Sequence, residues 1–244
     1  MRMIQVTRGL KVQILSSNGS MKIPVFILTF ECSQRIKNNP GLLRGYFGRK
    51  FNEYELIHHH TKEDKLIYKY PMIQYKVLEG KPTVLGIGLG ADVLKNIYED
   101  VNELQLGGKS FEIFGKTMVY AKAEYGISNI LLLYSFHTPW LALNEKKYEK
   151  YIKFGAWTKK KELLEKIIIG NIISMSKGLG YTVPAPIKAN IIKLKEVRTS
   201  LKGTPMLGFL GTFSVNFEIP DYWGIGKSVS RGFGTVKRVE ELGS

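Results

Sequence analysis

Between Tyr68 and Gly88 the chain reads YKYPMIQYKVLEGKPTVLGIG, and this stretch decides the fold. Tyr68–Leu78 is rich in aromatic and β-branched residues, Glu79-Gly80-Lys81-Pro82 is turn chemistry, and Thr83–Gly88 is a second apolar run. Two such runs around a glycine-containing turn predict a β-hairpin. Upstream, Lys22–Glu31 (KIPVFILTFE) is a short, nearly continuous apolar run, as expected of a buried strand. Pro40-Gly41 breaks the pattern, and Leu42–Phe51 follows as a basic amphipathic segment with Arg44, Arg49 and Lys50. Downstream, Val93, Leu94, Ile97, Val101 and Leu104 recur at helical spacing over Ala91–Gln105, and Phe111–Tyr125 returns to strand-like alternation. Strand, helix, hairpin, helix, strand is the βαββαβ order of a ferredoxin-like unit.

The remaining chain follows a similar scheme. Asn129–Phe136 reads as an aromatic-rich strand that ends at His137-Thr138-Pro139-Trp140. Lys159–Ser176 predicts a helix with an apolar stripe of Leu163, Leu164, Ile167, Ile168, Ile172 and Ile173, stopped by Gly178-Leu179-Gly180. Ile187–Arg198 and Met206–Ile219 read as paired strands around Gly203-Thr204-Pro205. A glycine-rich loop, Gly224–Gly234, then leads into a short strand over Thr235–Val239. The fold class is therefore α+β, two tandem ferredoxin-like domains. They are expected at residues 1–126 and 127–244, with the junction between Tyr125 and Asn129, where Gly126 interrupts the pattern.

Composition narrows the partners. Of 244 residues, 36 are Lys or Arg against 21 Asp or Glu, a net charge of +15, more than solubility needs. Such a surplus points to a polyanion, either nucleic acid or an anionic membrane face. The 44% hydrophobic share supports real cores and excludes wholesale disorder. One cysteine, Cys32, excludes an internal disulfide framework and a multi-cysteine zinc site. No apolar region follows the first charged residues, and no window reaches the ~18 apolar residues of a membrane span, so a soluble, cytoplasmic protein is expected.

The loop Gly224-Ile225-Gly226-Lys227-Ser228-Val229-Ser230-Arg231-Gly232-Phe233-Gly234 is the most informative text. Glycines allow close backbone approach and positive φ, so N–H groups can meet phosphate oxygens, while Lys227 and Arg231 add charge and Ser228 and Ser230 add hydroxyls. It is not a phosphate loop of the GxxxxGK[ST] kind, because no lysine and hydroxyl residue directly follow a second glycine at that spacing. A dinucleotide fingerprint would need a following βαβ unit, for which the chain has no room. A tight structural turn is the competing reading. This block resembles the C-terminal signature of the CRISPR repeat-processing endoribonucleases, members of the repeat-associated RNA-binding superfamily. Tyr68–Lys76 (YKYPMIQYK), His137–Leu143 (HTPWLAL), Gly170–Gly178 (GNIISMSKG) and Gly211–Pro220 resemble one archaeal and bacterial branch of that family. The similarity runs from about Pro24 to Val239.

Three of the four histidines are consecutive: His58, His59 and His60. In an extended segment His58 and His60 share a face and His59 points away. Two imidazoles on one face suit metal-independent RNA cleavage. One takes the proton of the ribose 2′-hydroxyl and the other protonates the departing 5′-oxygen, work for which a side-chain pKa of about 6.5 is well placed. A solvated histidine-rich loop is the competing reading. The resemblance implies a histidine pair two residues apart before the YPxIQYK block, and His58 and His60 match it, with His59 as an extra histidine. It also implies a lysine near Lys50, to offset charge on the nonbridging oxygens. Tyr68 is a candidate for positioning the phosphate or a base. His137 reads as a packed structural residue, the lysine-rich stretch Asn144–Lys166 as a solvated face, and Tyr222, Trp223 and Phe233 as candidates for base stacking.

The expected activity is a sequence-specific, metal-independent endoribonuclease that cuts CRISPR precursor transcripts within each repeat, leaving a 2′,3′-cyclic phosphate. No cofactor and no metal are implied. The expected partners are repeat RNA and, by resemblance, interference-complex subunits and a second copy of the chain, with no membrane. Two alternatives compete: a non-catalytic RNA-binding subunit of the same superfamily, which needs no histidine pair, and a general basic nucleic-acid binder without sequence preference.

Overall fold

The computed structural model describes residues 19–36, 39–58 and 70–240. Its first unit runs β1 (Ser20–Cys32), α1 (Pro40–Lys50), α2 (Glu55–His58), β2 (Ile73–Leu78), β3 (Lys81–Ile87), α3 (Leu89–Ile97), β4 (Glu103–Leu106) and the start of β5 (Lys109–Phe136). The predicted hairpin is β2–β3, closed by Glu79 and Gly80 with φ of 51° and 82°. Both central residues at positive φ match the twist of the flanking strands. Pro40 opens α1 at a position where its missing N–H costs nothing. The antiparallel order β2-β3-β1-β5 is that of a ferredoxin-like sheet. The fold is two such units in tandem.

The period of apolar residues decides which side each strand buries. Phe26, Leu28 and Phe30 of β1 lie in one core with Leu43 and Phe47 of α1 and Ala91 and Leu94 of α3. Ile23, Val25, Leu85 and Ile87, on the opposite face, join a second core with Tyr125, Trp223 and the C-terminal helix. The C-terminal half therefore covers the helix-free face of the first sheet, which brings β2 under the glycine loop.

One boundary differs from expectation. The helix predicted over Ala91–Gln105 ends at Ile97, and Glu103–Leu106 forms β4, paired to β5 across a Gly107-Gly108 turn. Leu104 and Leu106 alternate with exposed residues, a period of two that also fits a helical count when the window is short. At Gly126, within the expected junction, the strand runs on and changes partner: β5 pairs with β1 up to Gly126 and with β7 from Gly126 onward. Gly126 has φ +145°, and a Cβ there would stand 2.8 Å from the Ser20 Cα and from the Tyr181 hydroxyl. The glycine answers close approach where the strand passes from one set of partners to the other.

The second unit continues with α4 (Glu145–Lys153), α5 (Trp157–Leu179), β6 (Ala189–Leu201), β7 (Thr204–Glu218), a 3₁₀ turn (Val229–Arg231) and β8 (Val236–Arg238). Leu164, Ile167, Ile168, Ile172 and Met175 bury one face of α5, each apolar side chain contributing roughly 1.5–3 kcal/mol. Gly180, left-handed at φ 75°, caps it. β8 pairs with β5 beside β7 and β6, so the order β8-β5-β7-β6 repeats that of the first unit. Where the first unit has α3 between its third and fourth strands, the second has the glycine loop. Lys161 pairs with Glu165 at 3.7 Å on the solvated side of α5. Among the described residues, no helix is long and apolar enough to cross a membrane.

Candidate functional site

The glycine loop is held from below by a buried polar network. Gln74 and Lys76, two residues apart on β2, point to the same side of the strand. The Lys76 ammonium donates to Gln74 Oε1 and to Thr235 Oγ1, both at 3.1 Å. Gln74 Oε1 also accepts the Gly224 N–H at 3.0 Å, and the Gly224 carbonyl accepts the Tyr70 hydroxyl at 2.8 Å. At the other end of the loop the Gly232 carbonyl accepts hydroxyls from Thr138 at 2.6 Å and Thr235 at 3.1 Å. The Pro139 carbonyl accepts the Gly234 N–H and the Leu141 carbonyl accepts the Lys227 N–H. Trp140 donates from Nε1 to Asn171 of α5. The scattered stretches YKYPMIQYK, HTPWLAL and GNIISMSKG thus meet under one loop.

This corrects the expected role of several glycines. Gly224, Gly232 and Gly234 are buried, and their N–H groups donate to Gln74, Val229 and Pro139. Gly234 sits at φ +63° with the Ile225 carbonyl where a Cβ would be, and a Cβ on Gly232 would stand 2.7 Å from Pro40. These three are glycine because of packing and conformation. Facing outward are Gly226 and Lys227, exposed, and Ser228, Ser230, Arg231 and Phe233, half-buried. Trp223, expected to stack on bases, is buried and stacks on Tyr125 at 5.5 Å.

Arg231 lies against the start of α1, its guanidinium 3.3 Å from where a Cβ on Gly41 would be. Burial first, and then the nearby Arg44 charge, push its pKa down. A cleft of about 210 Å³ opens there, lined by Asn39, Pro40, Ser200, Lys202, Arg231 and Phe233. Two guanidinium groups near a helix N-terminus favour a phosphate.

The other end of α1 carries Lys50, the cation expected from sequence. Lys50 is its last residue, exposed, 5.9 Å from the Tyr46 ring and 5.8 Å from the Phe51 ring. Ten steps of ~1.5 Å put Lys50 about 15 Å along the helix from Pro40. Glu55–His58 is helical, so the extended backbone assumed for the histidines does not hold at His58. His59, His60 and Tyr68 lie outside the described residues.

A second cleft, of about 400 Å³, lies on the helix-free face of the first sheet, where Thr29, Lys81 and Thr83 oppose His137, Tyr222 and Lys237. His137, expected to be packed, is exposed with its ring edge-on to Tyr222 at 6.4 Å. It follows Phe136, the last residue of β5, and lies outside both cores.

Lys76 was not singled out from sequence. It is fully buried, and burial pushes its pKa from 10.5 to about 7. Its folded value lies below its unfolded one, so above about 7 the folded chain binds fewer protons than the unfolded chain. Stability is therefore expected to rise as pH goes from about 7 towards 10.5, and to be reduced by the full penalty below that window. Urea unfolding midpoints across this range should climb in the wild type and stay flatter in Lys76→Met. Equal slopes in the two would contradict the burial of a charged Lys76.

A family model described as the Cas6b N-terminal domain matches residues 21–124, and one described as the Cas6b C-terminal domain matches residues 126–239. A crystal structure of Cas6b superposes with a TM-score of 0.84 at 37% identity, covering 90% of this chain and all of that one. A crystal structure described as the CRISPR RNA processing endoribonuclease Cas6b gives a TM-score of 0.70 at 35% identity, over 89% of this chain and all of that one. An uncharacterised protein of Methanocaldococcus jannaschii is 44% identical over 142 residues, 58% of this chain and 96% of its own length. With both halves matched in order, the glycine loop in place and the relatives covered end to end, the chain belongs to the Cas6b family.

Proposed function

We propose that this protein is an endoribonuclease that cuts CRISPR precursor RNA within the repeat, without a metal, by attack of the 2′-hydroxyl on the adjacent phosphorus. The O2′–P bond forms and the P–O5′ bond breaks. One histidine of the pair His58 and His60 takes the 2′-proton, the other supplies a proton to the departing 5′-oxygen, and the product carries a 2′,3′-cyclic phosphate. Lys50 offsets charge on the nonbridging oxygens, and Tyr68 positions the phosphate or a base. The outward residues of the glycine loop, Gly226, Lys227, Ser228, Ser230, Arg231 and Phe233, hold the RNA backbone. After cleavage, the guide RNA is passed to interference-complex subunits.

One observation carries this reading: helix α1 joins a cationic, loop-lined cleft at Pro40 to Lys50 at its other end, eight residues before His58 in the sequence. A single RNA strand gripped at the loop and run along α1, past Arg44 and Arg49, reaches Lys50. Membership of a family that includes a protein described as a CRISPR RNA processing endoribonuclease supports the substrate class.

Cleavage in excess EDTA tests the metal-independent chemistry. Repeat RNA is expected to be cut as fast as without chelator, leaving a 2′,3′-cyclic phosphate detectable by mass spectrometry. Activity lost in EDTA and restored by Mg²⁺ would refute the mechanism. No cutting under any condition, with tight repeat binding, would identify a non-catalytic subunit instead.

A further inference from the structure

A fully buried ammonium is costly unless it is paired, because desolvation disfavours the charged form. Lys76 is fully buried, and its two hydrogen-bond partners, Gln74 and Thr235, are both neutral. A methionine would fill the same space without that penalty. Its partners show what the lysine does. Gln74 Oε1 is shared with the Gly224 N–H, and Thr235 Oγ1 donates to the Gly232 carbonyl. One ammonium therefore stands a single side chain away from both ends of the glycine loop, and it comes from the other half of the molecule. Between these two ends lie Lys227 and Arg231.

We propose that Lys76 is a positioning residue for RNA binding: through Gln74 and Thr235 it fixes both ends of the glycine loop, so that Lys227 and Arg231 meet the RNA backbone in one register. The inference rests on the reading that this loop holds RNA. Lys76 touches no RNA itself. Its part is to convert the packing of β2 against the second unit into a fixed loop geometry, because directional bonds to a buried donor allow fewer loop conformations than apolar contacts.

The test measures affinity for a repeat RNA transcribed from the source organism's array and carrying a 2′-deoxy nucleotide before the cut, so that binding is read without cleavage. Lys76→Met is expected to weaken binding about ten-fold, the scale of the one or two hydrogen bonds it removes. Its melting temperature at neutral pH should equal or exceed the wild type, since an unpaired buried charge is gone. Arg231→Ala should lose most of its own effect in the Lys76→Met background, because an unfixed Arg231 contributes little in either case. Thr235→Ser keeps the hydroxyl and should bind as the wild type, whereas Thr235→Val should weaken binding. This pair decides the matter if Lys76→Met does not fold.

Wild-type affinity in both Lys76→Met and Thr235→Val overturns the proposal. So does a Lys76→Met defect that is additive with Arg231→Ala and accompanied by a lower melting temperature, which marks a purely structural residue. If Lys227→Ala and Arg231→Ala themselves leave affinity unchanged, the RNA-holding role of the loop fails and the proposal falls with it. If they weaken binding while Lys76→Met and Thr235→Val do not, only the proposal falls.

Discussion

Replacing His58 or His60 with alanine is expected to slow single-turnover cleavage of repeat RNA by ~10²–10⁴-fold, the usual contribution of a positioned acid or base. Repeat affinity should change little, because the chain carries 36 Lys and Arg for phosphate contact and imidazoles add little to that. A 2′-deoxy nucleotide before the cut should abolish cleavage and leave binding intact, since it removes the nucleophile. His59→Ala is the informative control. If the chain is extended from His58 onward, His59 faces away from the pair and its loss is nearly silent. A damaging His59→Ala would shift the pair and keep the enzyme. Wild-type rates in all three single variants and in the triple alanine variant would remove histidine from the chemistry. The acid and base would then be sought among Lys50, Tyr68 and His137.

The second large effect concerns binding. Lys227→Ala and Arg231→Ala should each weaken repeat RNA affinity, Arg231 more so. The half-buried Arg231 guanidinium sits beside Arg44 in a cleft, where water screens it less than the exposed Lys227. The slope of log K against log salt should become shallower by about 0.7 for each true contact to a single-stranded phosphate. Titrations at several salt concentrations give both numbers from one experiment. Unchanged affinity and unchanged slope in both variants would return the loop to a structural turn. Loss of affinity with an unchanged slope would indicate a contact to bases and not to the backbone.

The order of elements was legible because it is local. Hydrophobic period, a glycine turn at Gly80 and a proline break at Pro40 act over a few residues, and they place β1, α1, the β2–β3 hairpin and α5 without reference to anything distant. Where a short window served two periods, as at Leu104 and Leu106, the reading went to the wrong one, because pairing with β5 settled it. Gly126 was legible as an interruption of the pattern, but its cause was not: in the fold β1 and Tyr181 approach the strand too closely for a side chain at the point where β5 changes partner.

The site divides in the same way. Charge, the histidine triplet and the glycine–serine–arginine pattern of Gly224–Gly234 are chemical facts of the chain: charge pointed to a polyanion, and the resemblance carried by these motifs implied RNA as the partner and His58, His60, Lys50 and the loop as candidates. Which loop residues face outward was not legible. Burial of Gly224, Gly232, Gly234 and Trp223 depends on what packs above them from residues far away in sequence. Lys76 was hidden for the same reason. A lysine within YPMIQYK reads as the polar side of an exposed strand, and nothing within several residues says otherwise. Only the docking of the second unit on the helix-free face of the first sheet removes its water and places Thr235, 159 residues later, within 3.1 Å. Local interactions set the elements from sequence alone; desolvation and hydrogen bonding between distant segments exist only once the two sheets have met.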